Sequence, residues 1–452
     1  MSTPESSGLQ EILALSELIN KAVAQILQYG AVIPSLHSTE PGPFDTPEET
    51  PAEISAAIRT IDAACAQLSI TVASPGHSVC NARETACLRV AVEAKIADLL
   101  LDKPEGLPVD QLSAKTGIDA KKLARVLRYL ATKHVFTEVK PNVFANNRLS
   151  MRLLSTDPLS DLATFLGEEC MKAATALNET LQDPNTTSSM VSAGTAFTRA
   201  HGHDFFAYTS TPEQQKRIGH FGRAMMGWGG VTGRAMLPKI YPWATLPKDT
   251  VVCDVGGGTG HISMILLQAH PHLKIVVQDL PGVIAQGQEI LQADPMDPAL
   301  KERIDYKPLD FFASGPVSNC DFYYVSVQSS KDRHDWPNAS CQQILDNIRK
   351  SMKPSSRVLI HEFVLQHVAR QPLDDAPVFK PAPEPLLPNY GVGNIRPYAQ
   401  DLLMMEMHNS KERTLQEFID IGTRSGLRFV KIWTQGDVPL LEFELDAPNS
   451  SV

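Results

Sequence analysis

The sequence predicts an α/β fold, an open and mostly parallel nucleotide-binding sheet in the carboxyl-terminal half, preceded by a mostly helical region. Three observations carry that expectation. The run Val251-Val252-Cys253-Asp254-Val255 reads as a buried parallel strand, broken by Gly256-Gly257-Gly258-Thr259-Gly260 and followed by a helical pattern opening near His261. A helix later, Lys274-Ile275-Val276-Val277-Gln278-Asp279 reads as a second buried strand ending on a carboxylate. Upstream, residues 82–150 give three helical patterns and then two short alternating segments with Pro141-Asn142 between them, which is a hairpin.

The glycine turn narrows the ligand. Gly256, Gly258 and Gly260 stand at every second position, where a β-carbon would hold a ligand off the backbone. Turn and first-helical-turn amides are then expected to face outward, toward polar ligand groups. Strand, turn, helix and a strand ending in an acid form a Rossmann-like βαβ unit, with Asp279 placed for two ribose hydroxyls. A dinucleotide fold needs G-x-G-x-x-G, and His261 occupies the last glycine's place, which disfavours a nicotinamide oxidoreductase. The tighter G-x-G-x-G, with Asp254 in the strand before it, suits S-adenosyl-L-methionine. That donor brings no pyrophosphate to cradle, while its amino and carboxylate groups need polar partners. A glycine cluster alone is an ordinary βα turn; the four features together predict a methyl-donor site.

Composition sets outer bounds. The chain has 452 residues, 43% hydrophobic and 20% charged, enough for two or three domains of a globular protein. A net charge of −10 argues against a nucleic-acid partner, which needs a basic face. Seven scattered cysteines without a C-x-x-C pair read as reduced thiols. Residues 1–7 lack the basic start and apolar run of a secretory leader, and no apolar stretch reaches membrane-spanning length, so a cytoplasmic location is expected. No metal is predicted.

Taken in order, residues 1–81 form a helical arm and linker. Apolar residues recur at helical spacing over 9–29 and 52–71, around a segment broken by Pro34, Pro41, Pro43, Pro47 and Pro51. Packing within one subunit is the plain explanation of those faces; a subunit interface is the favoured one. Residues 82–157 form a winged-helix-like domain, with one helix over 86–100, shorter ones over 109–116 and 120–133, and the hairpin. Lys121, Lys122, Arg125 and Arg128 on the last helix admit a DNA reader, but a solvated basic face on an acidic protein is the better reading. Residues 158–249 are a helical connector rich in aromatics and methionines, mostly core, of a kind that also walls a pocket for a flat ligand. Residues 250–452 are the donor-binding catalytic domain. There 320–325 and 357–364 are further strands and 339–352 is a helix led by Asn338. Residues 366–398 hold seven prolines and read as a long excursion, followed by helices over 401–408 and 415–425 and closing strands over 429–433 and 440–445.

Methyl transfer to a hydroxyl needs alignment and removal of one proton, and a neutral histidine suits the second task. His334, in His334-Asp335-Trp336-Pro337, follows the 320–325 strand at the carboxyl edge, where ligands of open α/β sheets sit. Its far ring nitrogen needs an acceptor. Glu362 ends a strand on the same edge, and Glu412 opens a helix able to reach it. Singly, a histidine is more often structural and Glu412 a helix cap; the shared edge brings them together.

These residues resemble the plant- and fungal-type (caffeate O-methyltransferase-like) S-adenosyl-L-methionine-dependent O-methyltransferases, especially the fungal secondary-metabolite branch. The resemblance covers residues 80–445 through Asp254-Val255-Gly256-Gly257-Gly258-Thr259-Gly260, Gln278-Asp279-Leu280-Pro281, Leu309-Asp310-Phe311-Phe312, His334-Asp335-Trp336, Glu362 and Lys411-Glu412-Arg413-Thr414. It implies a class I methyltransferase sheet and makes the winged-helix-like domain a dimerisation domain, hence a homodimer. It implies His334 as base flanked by Glu362 and Glu412. The cofactor set it implies is Asp254, Gly256, Gly258, Gly260, Asp279, Leu280, Asp310 and Phe311. On the substrate side stand His201, Phe205, Met225, Met226, Asp335 and Met405, facing an aromatic or polycyclic metabolite hydroxyl. One departure stands out. The segment 326–333 is longer than in that family, and Ser330 holds the place of a basic residue four before the histidine, with Lys331 or Arg333 as candidate substitutes. It bears on the base rather than on the donor site, and it keeps an alternative open, a donor-binding but catalytically silent scaffold in a biosynthetic assembly.

Overall fold

The structure is a computed structural model that describes residues 8–72, 84–189, 191–209, 211, 215–326, 338–370, 379–435 and 438–446. The chain forms two compact units. One comprises Met1–Ser188, Ala193–Val231 and Ala382–Asn394; the other comprises Ser189–Ser192, Thr232–Pro381 and Ile395–Val452. No helix among the described residues is long and apolar enough to cross a membrane.

In the first unit, helices Gly8–Tyr29 and Ala52–Val72 pack on each other. Leu15, Ala63 and Ala64 bury against Ala382 and Leu386 from the proline-rich excursion. Gln67 Nε2 donates to Glu11 and to the Pro385 carbonyl, each at 3.0 Å. A β-carbon on Gly393 would stand 2.5 Å from the Arg59 carbonyl oxygen, so the excursion's backbone lies directly on the second helix. Part of the apolar face read from the sequence is thus covered within the unit, while Leu9, Leu13 and Leu27 stay exposed.

The winged-helix-like domain folds as its pattern predicts, with one difference. The helix expected over 86–100 is broken into Glu84–Glu93 and Ile96–Leu99 by Lys95 in a left-handed conformation. The break turns Ile96, Ala97 and Leu100 into the core built by Leu112, Leu123, Leu127, Leu130 and Phe144. Burial of these side chains outweighs the roughly 1–2 kcal/mol of a left-handed lysine. The small sheet runs in the order Leu107–Pro108, Val143–Ala145, Thr137–Lys140. Arg128 is committed to the wing: its guanidinium donates to both Glu138 carboxylate oxygens and to Asn142.

The second unit holds a seven-stranded sheet of Val251–Val255 (β1), Lys274–Asp279 (β2), Ile304–Pro308 (β3), Phe322–Val325 (β4), Arg357–His361 (β5), Leu427–Trp433 (β6) and Leu440–Leu445 (β7). The order is β6-β7-β5-β4-β1-β2-β3, parallel except that β7 runs antiparallel to both neighbours. Alternation along β1 and β4 fills both faces. Val252, Phe322 and Tyr324 join Trp243, Leu237 and helix His261–Ala269 on one side. Cys253, Val255, Tyr323 and Val325 meet Ile344, Ile348, Phe418 and Ile421 on the other. Connections run outward from β1 in both directions, so β1 and β4 flank the switch point where such sheets bind ligands.

The strand expected over 357–364 ends at His361. Val364–Leu365 leaves the sheet and pairs in parallel with Arg413–Thr414.

Candidate active site

The glycine loop is tied to β2. The Gly256 and Gly257 amides donate to the Gln278 carbonyl at 2.8 and 3.2 Å, and the Gly258 amide donates to Asp279 Oδ2 at 2.8 Å. These amides, expected to face a ligand, are therefore engaged within the fold, as buried N–H groups must be. A β-carbon at Gly257 would lie 2.5 Å from the Asp254 carboxyl carbon, and one at Gly260, where φ is +82°, would collide with the Tyr306 hydroxyl. That hydroxyl donates to the Thr259 carbonyl at 2.9 Å and pins the turn from β3. Bare backbone is thus a packing requirement of the loop.

Asp279, 1% exposed, also accepts the Leu280 amide on Oδ1 at 2.7 Å, so its carboxylate is held in a fixed orientation at the end of β2. Asp254 lies beneath the loop and accepts the Ser263 hydroxyl at 2.6 Å. Burial pushes its carboxyl up to about 7; the Ser263 bond opposes this and the charge of Asp279 adds to it. Phe311 is buried, with an edge carbon 3.4 Å from where a Gly256 β-carbon would stand, and Asn347 fixes its carbonyl at 2.9 Å. Asp310 is exposed and caps the following turn by accepting the Phe312 amide at 3.0 Å. A fixed carboxylate for a diol, an apolar ring beside the loop for a flat base, and a helix opening on His261 with no glycine for a pyrophosphate together fit an adenosyl ligand. Desolvation pushes the His261 imidazole down, and the charge of Asp294 opposes this.

At the carboxyl ends of β4 and β5 lies a buried polar group. The short pairing of Arg413–Thr414 with Val364–Leu365 carries Glu412 to the turn that holds Glu362, and both are buried. Glu412 does not cap its helix. Thr414 does, in a reciprocal capping box with Glu417. The Glu412 amide donates to Asp401 Oδ1 at 2.8 Å. Burial first, then the charge of Glu362, raises the Glu412 carboxyl to about 8; Arg234 and Arg413 oppose that and Asp401 adds to it. Asp401 is itself raised by burial.

The cation of this group came from outside every motif. Arg234 follows Gly233, whose φ of +68° turns the chain out of helix Gln215–Thr232 into a short 3₁₀ turn. Its Nη1 donates to Ser326 Oγ at 2.5 Å and its Nη2 lies 3.5 Å from Glu362 Oε2. Behind it, His361 Nε2 faces the Val438 carbonyl at 3.2 Å and must be the protonated nitrogen, so Nδ1 accepts the Tyr324 hydroxyl at 2.9 Å. Burial, reinforced by Arg234, depresses this imidazole to about 3, and it stays neutral. No periodicity or spacing marks Arg234; a glycine ending a helical run before an arginine is the one local signal.

His334 and Asp335, with Trp336 and Ser330, lie outside the described residues. The remaining expected residues divide between the units. In the first, Phe205 is buried against Phe165, Phe197 and Phe221, and His201 stacks on Phe197 at 4.1 Å while its Nε2 meets the Glu169 carbonyl at 3.1 Å. Met225 is half-buried and Met226 is exposed. In the second, Met405 is half-buried on helix Arg396–His408.

Sheet order, glycine loop and edge carboxylates together define a class I methyltransferase fold. Known proteins narrow this further. The family model described as the O-methyltransferase domain matches residues 177–428, and that of the O-methyltransferase dimerisation domain matches residues 77–156. The chain is similar to 3-O-methyltransferase 2 of Phanerochaete chrysosporium, 46% identical over 449 residues, covering 97% of this chain and 99% of that one. O-methyltransferase gedA of Aspergillus terreus is 34% identical over 431 residues, 86% of each chain. Among solved structures, that of the mitomycin 7-O-methyltransferase MmcR is similar at a TM-score of 0.64 and 25% identity, covering 85% of this chain and 99% of that one. The chain belongs to the O-methyltransferase family.

Proposed function

We propose that this protein transfers the methyl group of S-adenosyl-L-methionine to a hydroxyl of an aromatic or polycyclic secondary metabolite, with His334 as general base. The observation that carries the donor assignment is Asp279, held by the Gly258 and Leu280 amides at the edge of β2, beside a loop with no pyrophosphate-binding glycine. Relatives named as O-methyltransferases along almost the whole chain support an enzyme over a silent scaffold. The name of one structural neighbour, a mitomycin 7-O-methyltransferase, agrees with a polycyclic acceptor.

The donor supplies an already activated methyl group, so this chain's residues have two tasks. Asp279, Leu280, Asp310 and Phe311 orient the adenosyl part, while Asp254, Gly256, Gly258 and Gly260 shape the loop around the remainder. His334 takes the hydroxyl proton as the methyl group transfers, and Glu362, with Glu412 beside it, accepts the bond from its far ring nitrogen. His201, Phe205, Met225, Met226, Asp335 and Met405 belong to this proposal as the acceptor-side residues, on the resemblance alone. The protein works as a homodimer, in keeping with the dimerisation-domain match. Incubation with methyl-labelled donor and a library of phenolic and polycyclic acceptors tests the reading. Labelled product on an aromatic oxygen is expected. Donor binding without transfer to any acceptor would instead establish the scaffold.

A further inference from the structure

The two carboxyl groups at the edge of β5 are not equivalent, and the difference traces to Arg234. The Arg234 and Glu362 side chains keep only 11% and 8% of their exposure, so a charge on either is costly and the opposite charge helps to offset it. The guanidinium is anchored on one side by Ser326 Oγ, yet its Nε and Nη2 have no hydrogen-bond partner among the described residues. The 3.5 Å gap to Glu362 Oε2 is an ion pair just longer than a hydrogen bond. Nη2 lies at that distance from the carboxylate, and with Nε also unspent on the same planar guanidinium, a small rotation of Glu362 would let the fork close on it. Contacts of this kind are often long in a free enzyme and tighten once substrate is bound.

We propose that Arg234 is a positioning residue for methyl transfer: its guanidinium fixes Glu362 as the charged, oriented member of the carboxyl pair, the one that meets the base. Glu412 is then the member that holds the proton. This inference rests on the reading of His334 as base. Among the described residues the groups facing the pair are Arg234 from the 3₁₀ turn, Asp401 from helix Arg396–His408, and Arg413 beside Glu412. Cys341, on helix Asn338–Ser351, also faces Glu362, as do Tyr324 on β4 and, through Arg234, His361 on β5. Among the described residues Arg234 lies 3.5 Å from Glu362 Oε2, while Arg413 acts on Glu412, whose carboxyl is raised even so. Two neighbouring buried carboxyls do not both ionise freely, and the one beside the guanidinium keeps the charge.

The test uses full-length protein with Arg234→Met and Arg234→Lys. With an accepted substrate, Arg234→Met should lower kcat roughly ten- to hundredfold with little change in donor KM. The acid limb of its kcat profile should move up by about one pH unit or more, because Glu362 then competes with Glu412 for the proton. Arg234→Lys should return the limb to the wild-type position while recovering only part of kcat, since an ammonium cannot form the fork. A limb unmoved in Arg234→Met, or a loss confined to KM, overturns the proposal. Infrared difference spectroscopy provides a reading that needs no acceptor. Near neutral pH the wild type should show a protonated carboxyl band removed by Glu412→Gln, and Arg234→Met should add one that only Glu362→Gln removes. An unchanged spectrum overturns the inference even if no methyl acceptor is found. The expected spectrum without transfer would sustain the charge assignment and fault the methyl-transfer reading instead. If Arg234→Met does not fold, Arg234→Gln is judged by the same limb and the same bands.

Discussion

Asp279 is the most exacting test of the donor site, because the proposal gives it a task on the ligand beside the one it has in the loop. In Asp279→Ala the ribose hydroxyls lose two charge-assisted hydrogen bonds. At about 1.5 kcal/mol each or more, this weakens donor affinity by roughly 3 kcal/mol, or about a hundredfold in Kd. The same substitution strips the Gly258 and Leu280 amides of their acceptors at 2.8 and 2.7 Å. Left unpaired, each amide costs about 1–3 kcal/mol of stability. Part of this is returned at Asp254, whose carboxyl is raised partly by the charge of Asp279 and would titrate lower without it. Asp279→Asn separates the two roles: it keeps one carbonyl oxygen for one amide, so it should melt higher than Asp279→Ala while still losing most donor affinity. Calorimetric titration with S-adenosyl-homocysteine, alongside thermal melting, reads both quantities. A folded Asp279→Ala protein that binds this ligand as tightly as the wild type would refute the assignment.

The remaining expectations use separate handles. The Glu412 carboxyl is raised from 4.5 to about 8, so the folded protein holds a proton that the unfolded chain releases between those values; the associated stability is full below 4.5 and lost as pH rises through about 8. The melting temperature of Glu412→Gln should therefore fall less across that window than the wild type's, and equal slopes would show that Glu412 is not buried protonated. Leu13 and Leu27, exposed on the first helix, should lie in the subunit interface, so light scattering should give a dimer for the wild type and a monomer for Leu13→Glu with Leu27→Glu; a wild-type monomer at micromolar concentration counts against this. His334→Ala should slow the chemical step by roughly two to four orders of magnitude with donor affinity nearly intact, and Glu362→Gln should cost less; a full rate in His334→Ala removes the base from the proposal.

How much of this was readable in advance depends on whether local sequence or long-range pairing decides the feature. The donor half is local. A buried strand, a glycine turn and a second strand ending in Asp279 are contiguous, and each imposes its own backbone, so the loop and its two strands follow from pattern, whereas Phe311 came only with the family resemblance and the strand Ile304–Pro308 was not read at all. Lys95 shows the limit. Its segment reads as one continuous helix, and only the demand of the winged-helix core for Ile96, Ala97 and Leu100 breaks it.

The carboxylate edge is the opposite case. Glu362 and Glu412 were singled out because both stand at ends of predicted elements, but what makes them a pair is a two-residue parallel pairing between Val364–Leu365 and Arg413–Thr414. Segments that short carry no periodicity to read. Arg234 is further removed still, in a turn before the sheet begins, and its identity as the group's cation exists only once Gly233 has redirected the chain toward Ser326. The family resemblance puts a basic residue four before His334, where this chain has Ser330, with Lys331 and Arg333 as the candidate substitutes. The cation beside Glu362 is Arg234, 128 positions earlier in the chain. Electrostatics of this kind constrains where a charge ends up and leaves open which stretch of chain supplies it.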